Sequence, residues 1–232
     1  MSFAVIDHDQ GSIAWLRWRH DGIGSSDAPA LMGQNPWRSA GALFAEKVAP
    51  SRFGPAPAAL PPRPAPKPVI ADLFAAPPRP IAFPPERRHR SAASRGTALE
   101  PYARDRYNAH VGGALEPACL QSTDRPWQRA SLDGFCAATS RALEIKCGDK
   151  VYAFTEATGR VPAYYVGQLQ HILAVTGFSA IDFWVWLPGK TPLLLTVPRD
   201  EAYIAAMTVK TANFWTRVVA ARSSPTAPSP PA

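Results

Sequence analysis

The sequence predicts an α/β fold, a mixed β-sheet flanked by α-helices, with a proline-rich disordered insert ahead of the core. Three observations predict it. Residues 128–147 read as a β-hairpin, two strand-like runs around a turn region. Apolar residues recur at helical spacing through 95–110, 161–176 and 200–221, and two further strand-like runs, 181–187 and 193–197, stand between the second and third of these. Half of the 26 prolines fall within 50–85, a composition that favours extended polyproline chain and builds no core. At 232 residues the chain can bury one substantial core, so a single domain with an insert is expected. Its parts are N-terminal helices over 1–49, the insert over 50–85, the core over 86–222 and a disordered tail over 223–232.

In chain order, the first segment is a short helix or an extended run bearing Trp15, Leu16 and Trp18, whose rings suit packing better than base stacking. Ser25 or Ser26 caps a helix over 27–32 that Gly33 ends. Ser39 opens a second helix through Ala49, with Leu43, Phe44 and Val48 on its buried side. Inside the insert, 69–76 is a proline-free apolar island, and Arg87 to Arg90 form a basic cluster behind it. The helix over 95–110 turns Leu99, Tyr102, Ala103 and Tyr107 inward, with Glu100 beside that face, and Gly112-Gly113 ends it. A strand over 115–122 follows as the first of the core. The hairpin then has strands over 128–132 and 142–147, with a turn region at Asp133-Gly134 and 138–141; Asp124 before it reads as a loop residue. The helix over 161–176 faces the sheet with Leu169, Ile172, Leu173 and Thr176 and stops at Gly177. Tyr164, Gln168 and His171 share its adjoining edge. The last helix carries the stripe Ile204, Met207, Thr208, Thr211, Trp215 and Val218.

A formal charge of +7 and a pI near 9.6 fit a polyanionic partner without selecting one. The three cysteines, Cys119, Cys136 and Cys147, contain no CxxC pair. Their odd number argues against a disulfide framework, and a four-cysteine iron–sulfur site lacks ligands. They are expected to be reduced and buried. The N-terminus lacks the basic and apolar regions of a signal peptide and no apolar run reaches membrane-spanning length, so a cytoplasmic protein is expected.

The chemistry concentrates in the hairpin. Side chains alternate along a strand, so Glu144 and Lys146 project from one face while Ile145 points to the other, and the turn brings Asp133 beside them. Two carboxylates and an ammonium at one spot suit phosphodiester hydrolysis. Mg²⁺ needs one or two carboxylates, waters and substrate phosphate, and Asp133, Glu144 and the Ile145 carbonyl supply protein ligands. Lys146 orients the attacking water or stabilises charge on phosphorus. An ordinary surface Glu–Lys pair accounts for the same residues. Arg19 beside the Ser26 helix start offers an anion site, and Glu100 alone also reads as an i,i+4 partner of Arg104.

The order Arg19, Ser26-Asp27, RGTALEP with Glu100, SLDG, LEIK and YYVGQLQH resembles the phage lambda exonuclease and YqaJ-type viral recombinase family, within the PD-(D/E)xK nucleases. The resemblance implies a restriction-endonuclease-like core and an Mg²⁺-dependent exonuclease, with Mn²⁺ as a substitute. Such an enzyme degrades the 5′ strand at duplex DNA ends and leaves 3′ overhangs for recombination. It implies that Arg19 and Ser26 hold the terminal 5′-phosphate, with Arg17 competing for the arginine role and Arg19 favoured by its spacing to Ser26. Glu100 maps onto the family's helix glutamate, Asp133 and Ser131 onto its metal aspartate and serine, Glu144 and Lys146 onto its E-x-K pair, and Gln168 onto its glutamine. His171 is set aside as general base, since metal-bound water needs no imidazole. A structure- or sequence-specific endonuclease with the same metal site, and a DNA-end-binding protein without chemistry, are the alternatives. The resemblance also implies a single-strand annealing recombinase as partner, a homotrimer, and a phage or prophage origin in a bacterial host. Separately, Asp72-Leu73-Phe74 in the island resembles three positions of the bacterial sliding-clamp-binding pentapeptide, with packing on its own domain as the other reading.

Overall fold

The computed structural model describes residues 3–54 and 92–224. Most of the insert, with the 69–76 island and the Arg87 to Arg90 cluster, and the last eight residues of the tail lie outside the described residues. The elements run β1 (Phe3–Ile6), α1 (Ile13–His20), a 3₁₀ turn (Ser25–Asp27), α2 (Ala28–Leu31), α3 (Ala40–Val48), α4 (Ala92–Val111), β2 (Glu116–Ser122), β3 (Arg129–Cys136) and β4 (Arg141–Lys146). They continue through α5 (Asp149–Thr158), α6 (Ala163–Thr176), β5 (Ala180–Val185), β6 (Leu193–Pro198) and α7 (Glu201–Ser223). The strands form one six-stranded sheet in sequence order. All neighbours are antiparallel except β4 and β5, which are parallel. Antiparallel neighbours close with short turns, whereas the parallel pair requires a long crossover, here α5 and α6.

Helices cover the sheet on both faces. On one, Leu169, Ile172 and Leu173 of α6 pack with Leu120, Ala130, Leu132, Ala142, Phe183 and Val185, joined by Ile204 and Met207 of α7. On the other, Ala103 and Tyr107 of α4 pack with Leu115, Leu143, Ile145 and Trp184. The expected alternation along β4 therefore holds, with Leu143 and Ile145 turned toward α4. Where α6 crosses α2, a Cβ on Gly167 would lie 3.1 Å from the Pro29 backbone and 3.1 Å from the Tyr203 hydroxyl, so a bare α-carbon permits the approach.

Several expectations need correction. β1 precedes the strand expected to come first, and it pairs with β2 as a sheet edge, Ile6 opposite Cys119. Its four apolar residues are too few for periodicity to register. α5 was not expected; it buries Val151, Tyr152 and Thr155 and stops at a left-handed Gly159, and the apolar Val151 and Tyr152 with that glycine were the signals in the sequence. The hairpin turn lies after Cys136, so Asp133-Gly134 belongs to β3. The helix expected over 27–32 is a 3₁₀ turn followed by four α-helical residues, and neither Ser25 nor Ser26 caps it: the Gly24 N–H donates to Asp27 Oδ2 at 3.0 Å. Ser39 does cap α3, accepting from Ala42 N–H at 3.1 Å. Phe214 joins Ile204, Met207, Thr211 and Val218 as a buried residue of α7, whereas Trp215 is partly buried. Ser223 closes α7 and Ser224 caps it, so the first tail residues are helix end. The insert's first residues are also engaged, since Arg17 Nε donates to the Phe53 carbonyl at 2.6 Å. Cys119 and Cys147 are buried free thiols, while Cys136 is half-buried. No described helix is long and apolar enough to cross a membrane.

A buried ion pair holds the N-terminal elements together. Lys47 of α3 and Asp27 are 2 % and 1 % exposed, and Lys47 Nζ lies 3.1 Å from Asp27 Oδ2 while donating to the Arg19 carbonyl at 2.7 Å. Burial pushes the Asp27 carboxyl up, but Lys47, Arg19 and Arg38 outweigh it and hold it below the ordinary range. Truncating one member of such a pair leaves the other charge desolvated. Lys47→Met is expected to cost about 3 kcal/mol in urea unfolding. A loss under about 1 kcal/mol would show that the pair is not a structural clamp.

Candidate active site

The site forms where β3 and β4 part. Between β2 and β3 the register passes from Ala118↔Leu132 to Glu116↔Phe135, so β3 spends one more residue than β2, at Asp133-Gly134. This is a β-bulge, a device that bends a strand and re-aims a side chain. Gly134 suits it, because a Cβ there would stand 2.9 Å from Leu143 Cδ2. Backbone pairing of β3 with β4 stops at Gly134↔Leu143. Beyond that point the Ile145 N–H donates to Asp133 Oδ2 at 2.8 Å, a side chain replacing the missing ladder partner.

Asp133, Glu144, Ile145 and Lys146 line a cleft of about 730 Å³ together with Glu100, Ser131, Gln168, Arg19 and Ser26. These nine residues, all named from the sequence, thus line one cavity. Glu144 is 2 % exposed. Its Oε1 accepts from Gln168 Nε2 of α6 at 2.6 Å and from Lys146 Nζ, while its Oε2 is buried without a partner. Lys146 also lies 4.7 Å from the centre of the Tyr165 ring. On α4, Glu100 Oε1 accepts from Arg104 Nη2 at 2.6 Å, and Arg104 Nε donates to the Asp133 carbonyl. The i,i+4 pair with Arg104 therefore forms on the wall of the same cleft. The Ser131 hydroxyl accepts from Trp15 Nε1 at 2.8 Å.

The two candidate arginines separate cleanly. Arg17 is held by the Phe53 carbonyl, whereas Arg19 Nη2 donates to Ser26 Oγ at 2.7 Å and its guanidinium lies 4.6 Å from the centre of the Trp15 ring. Arg19, not Arg17, lines the cleft. Trp18 is buried, its Nε1 donating to Gln121 Oε1 at 3.0 Å, as packing required. Asp124 is an exposed turn residue away from the cleft. His171 is fully buried beneath the sheet against the Arg129 carbonyl, and burial pushes its imidazole down to about 4. Sequence reasoning missed Arg104 as a brace of Asp133, Gln10, whose Nε2 donates to the Leu132 carbonyl at 2.8 Å beside the bulge, and Tyr165. Only Tyr165 had a signal, one helical turn before Gln168.

The electrostatics follow from burial. Desolvation, offset mainly by Lys146 and reinforced by Asp133, pushes Glu144 up to about 8. Desolvation and the neighbouring Asp133 push Glu100 up to about 7. Burial likewise raises Asp133 against the pull of Lys146 and the Ile145 N–H. Burial alone would lower Lys146, but Glu144 and Asp133 outweigh it and keep the ammonium charged. Among the described residues no three His, Cys, Asp or Glu side chains form a ready-made metal cluster. The donor set fits a hard divalent cation nonetheless: two carboxylates, a backbone carbonyl and an unpartnered buried oxygen on Glu144.

Comparison with known proteins agrees with this architecture. The sequence model of the YqaJ-like viral recombinase domain matches residues 14–179. No curated protein matches significantly. Among solved structures, an alkaline exonuclease (LHK-Exo) from Laribacter hongkongensis is similar with a TM-score of 0.68 at 21 % identity, covering 90 % of this chain and 93 % of that one. The same exonuclease in complex with dAMP gives a TM-score of 0.64 at 20 % identity over 90 % and 93 % of the two chains.

Glu100 and Glu144 ionise from 4.5 upward in an unfolded chain but near 7 and 8 in the fold. Protonated, they favour folding; that contribution declines as pH rises above 4.5 and is gone above about 8. A cation bound only by the folded site offsets the loss. Mg²⁺ is therefore expected to raise Tm by several degrees at about pH 8.5 and by less at about pH 6. Equal Tm values in Mg²⁺ and chelator at the higher pH would argue against a cation here.

Proposed function

We propose a function from one premise: the chain belongs to the family of the YqaJ-like viral recombinase domain. It is a DNA exonuclease of phage-type recombination. Its substrate is a duplex end, and it hydrolyses the 5′ strand in a divalent-cation-dependent reaction to leave a 3′ overhang. The observation that carries the reading is the convergence of Asp133, Glu144, Lys146 and Gln168 with the Arg19–Ser26 pair in one cleft.

Asp133, Glu144 and the Ile145 carbonyl, with Glu100 beside them, would hold Mg²⁺, or Mn²⁺ in its place. Such a cation activates water near neutral pH and neutralises charge on the phosphate. Lys146 orients the nucleophile and stabilises the charge that develops on the non-bridging oxygens. Gln168 fixes the Glu144 carboxylate through its amide, adding no charge. Arg104 braces the Asp133 backbone. Arg19 and Ser26 receive the terminal 5′-phosphate, and Ser131, oriented by Trp15, lies within reach of the bound strand. The reported dAMP complex of the similar exonuclease supports a nucleotide-binding cleft.

Digestion of linear duplex labelled at its 5′ or its 3′ end, with and without Mg²⁺, tests this reading. Early release of 5′ label, with closed circular duplex left intact, is expected; cutting of the circle favours the endonuclease alternative. Asp133→Ala, Glu144→Gln and Lys146→Ala are each expected to lower cleavage about a hundredfold or more with duplex binding retained. Arg19→Ala is expected to slow 5′-phosphorylated ends far more than 5′-hydroxyl ends. Near-normal turnover in the first three, or equal slowing in the last, overturns the corresponding role.

The proposal extends to a homotrimer and to an annealing recombinase as partner; sedimentation at monomer mass, or failure of the two proteins to associate, removes these. Asp72-Leu73-Phe74 is proposed as a sliding-clamp motif, since proline-rich chain on both sides would tether it. A peptide over 69–76 is expected to bind the clamp weakly, with Leu73→Ala and Phe74→Ala together abolishing binding; no binding at millimolar peptide returns these residues to packing.

A further inference from the structure

Among the described residues the most exposed of the large apolar side chains is Trp37, at 73 %. It lies at the lip of the cleft that holds Lys146, Glu144 and Arg19. An exposed indole on a loose loop would be unremarkable, but this one is anchored from both sides. Asn35 Oδ1 accepts from the Trp37 N–H at 2.9 Å and from the Arg38 N–H at 3.0 Å. Arg38 is in turn ion-paired with buried Asp27 at 2.9 Å. Pro36 restricts the residue before Trp37 further.

The ring also begins a line of aromatics running into the site. Its centroid is 4.9 Å from that of Tyr164, edge to face at 79°. Tyr164 lies 4.6 Å from Tyr165, and the Lys146 ammonium sits over Tyr165 at 4.7 Å. Three rings therefore connect the lip to the ammonium, and the outermost keeps most of its surface uncovered. A flat apolar surface beside groups suited to phosphate is what a nucleotide requires, its base on the ring and its phosphate at the cations. A held indole loses little conformational freedom on binding, so the stack would form on a ready platform.

We propose that Trp37 is a substrate-binding residue, the platform on which the base of the nucleotide at the reacting end stacks. The inference rests on the DNA-exonuclease reading of the same cleft. Stacking against a π-face tolerates any base, so Trp37 gives end affinity without sequence preference. It holds the terminal nucleotide while Arg19 and Ser26 hold its phosphate.

The test uses the full chain as wild type, Trp37→Ala and Trp37→Phe. Duplex-end affinity is measured with divalent cations chelated, and KM and kcat with Mg²⁺, on ends with an intact terminal nucleotide and on ends where that nucleotide lacks its base. Trp37→Ala is expected to raise Kd and KM about 5- to 100-fold on intact ends, with kcat within about twofold, and Trp37→Phe to recover most of the loss. On baseless ends wild type and Trp37→Ala are expected to converge. Equal affinities on intact ends, or a loss that persists undiminished on baseless ends, overturns the proposal. Wild type that binds ends but releases no nucleotide overturns the nuclease reading and leaves the stacking result to stand. Wild type that does not bind DNA ends overturns both.

Discussion

The hydrogen bond from the Ile145 N–H to Asp133 Oδ2 is the contact on which the cleft depends. A strand in the middle of a sheet normally satisfies its amides on both neighbours, and a buried amide left without a partner costs about 1–3 kcal/mol. β4 keeps β5 on one side, its ladder extended by the Trp186 N–H donating to the Lys146 carbonyl. On the other side it loses β3 after Leu143. The Asp133 carboxylate fills that gap. Two strands can then diverge without stranding an amide, and the divergence is the floor of the cleft. The bulge that supplies the extra residue, the glycine that lets Leu143 approach, and the Gln10 and Arg104 bonds to neighbouring carbonyls all keep this one side chain in register.

The same arrangement is poor for stability when considered alone. A glutamate at 2 % exposure, another carboxylate drawn into its field and an oxygen without a donor do not belong in a core selected for packing. Lys146 and Gln168 relieve part of the repulsion. The remainder is expressed as carboxyl groups held above their ordinary range at Glu144, Glu100 and Asp133. Around it, apolar layers from α4 and α6 supply the rigidity that keeps the carboxylates close.

How legible this was in the sequence depended on the range of the interaction. Alternation along β4 assigned Ile145 to one face and Glu144 and Lys146 to the other, because a two-residue period is local. Helical spacing found α4, α6 and α7 for the same reason. The bulge was not legible: it is a mismatch between β2 and β3, and nothing within SLDG reveals that the partner strand runs one residue short. The Asp27 network escaped too, since Lys47 and Arg38 meet Asp27 only after α3 folds back, and a serine before a short helix looks like a cap. Resemblance to a family singled out Glu100, for which pattern alone preferred a plain i,i+4 pair with Arg104. Spacing to Ser26 favoured Arg19 over Arg17, but the Phe53 carbonyl that engages Arg17 is brought there by no sequence rule.

The sheet's edge is closed by its own beginning: residues 3–6 pair with residues 119–122, so the first strand finds its partner only after more than a hundred further residues exist. The cleft has the same character. Its walls come from α1 and the turn after it, from α4, from β3 and β4, and from α6 inside the crossover that must close before β5 can add. Pairings this distant in sequence form late, because the entropy of closing long loops precedes any reward. A growing chain emerging from the ribosome therefore has Arg19 long before it has Asp133 and Glu144, and both of these before Gln168, whose amide donates to Glu144, so the cleft is complete only once α6 has been made.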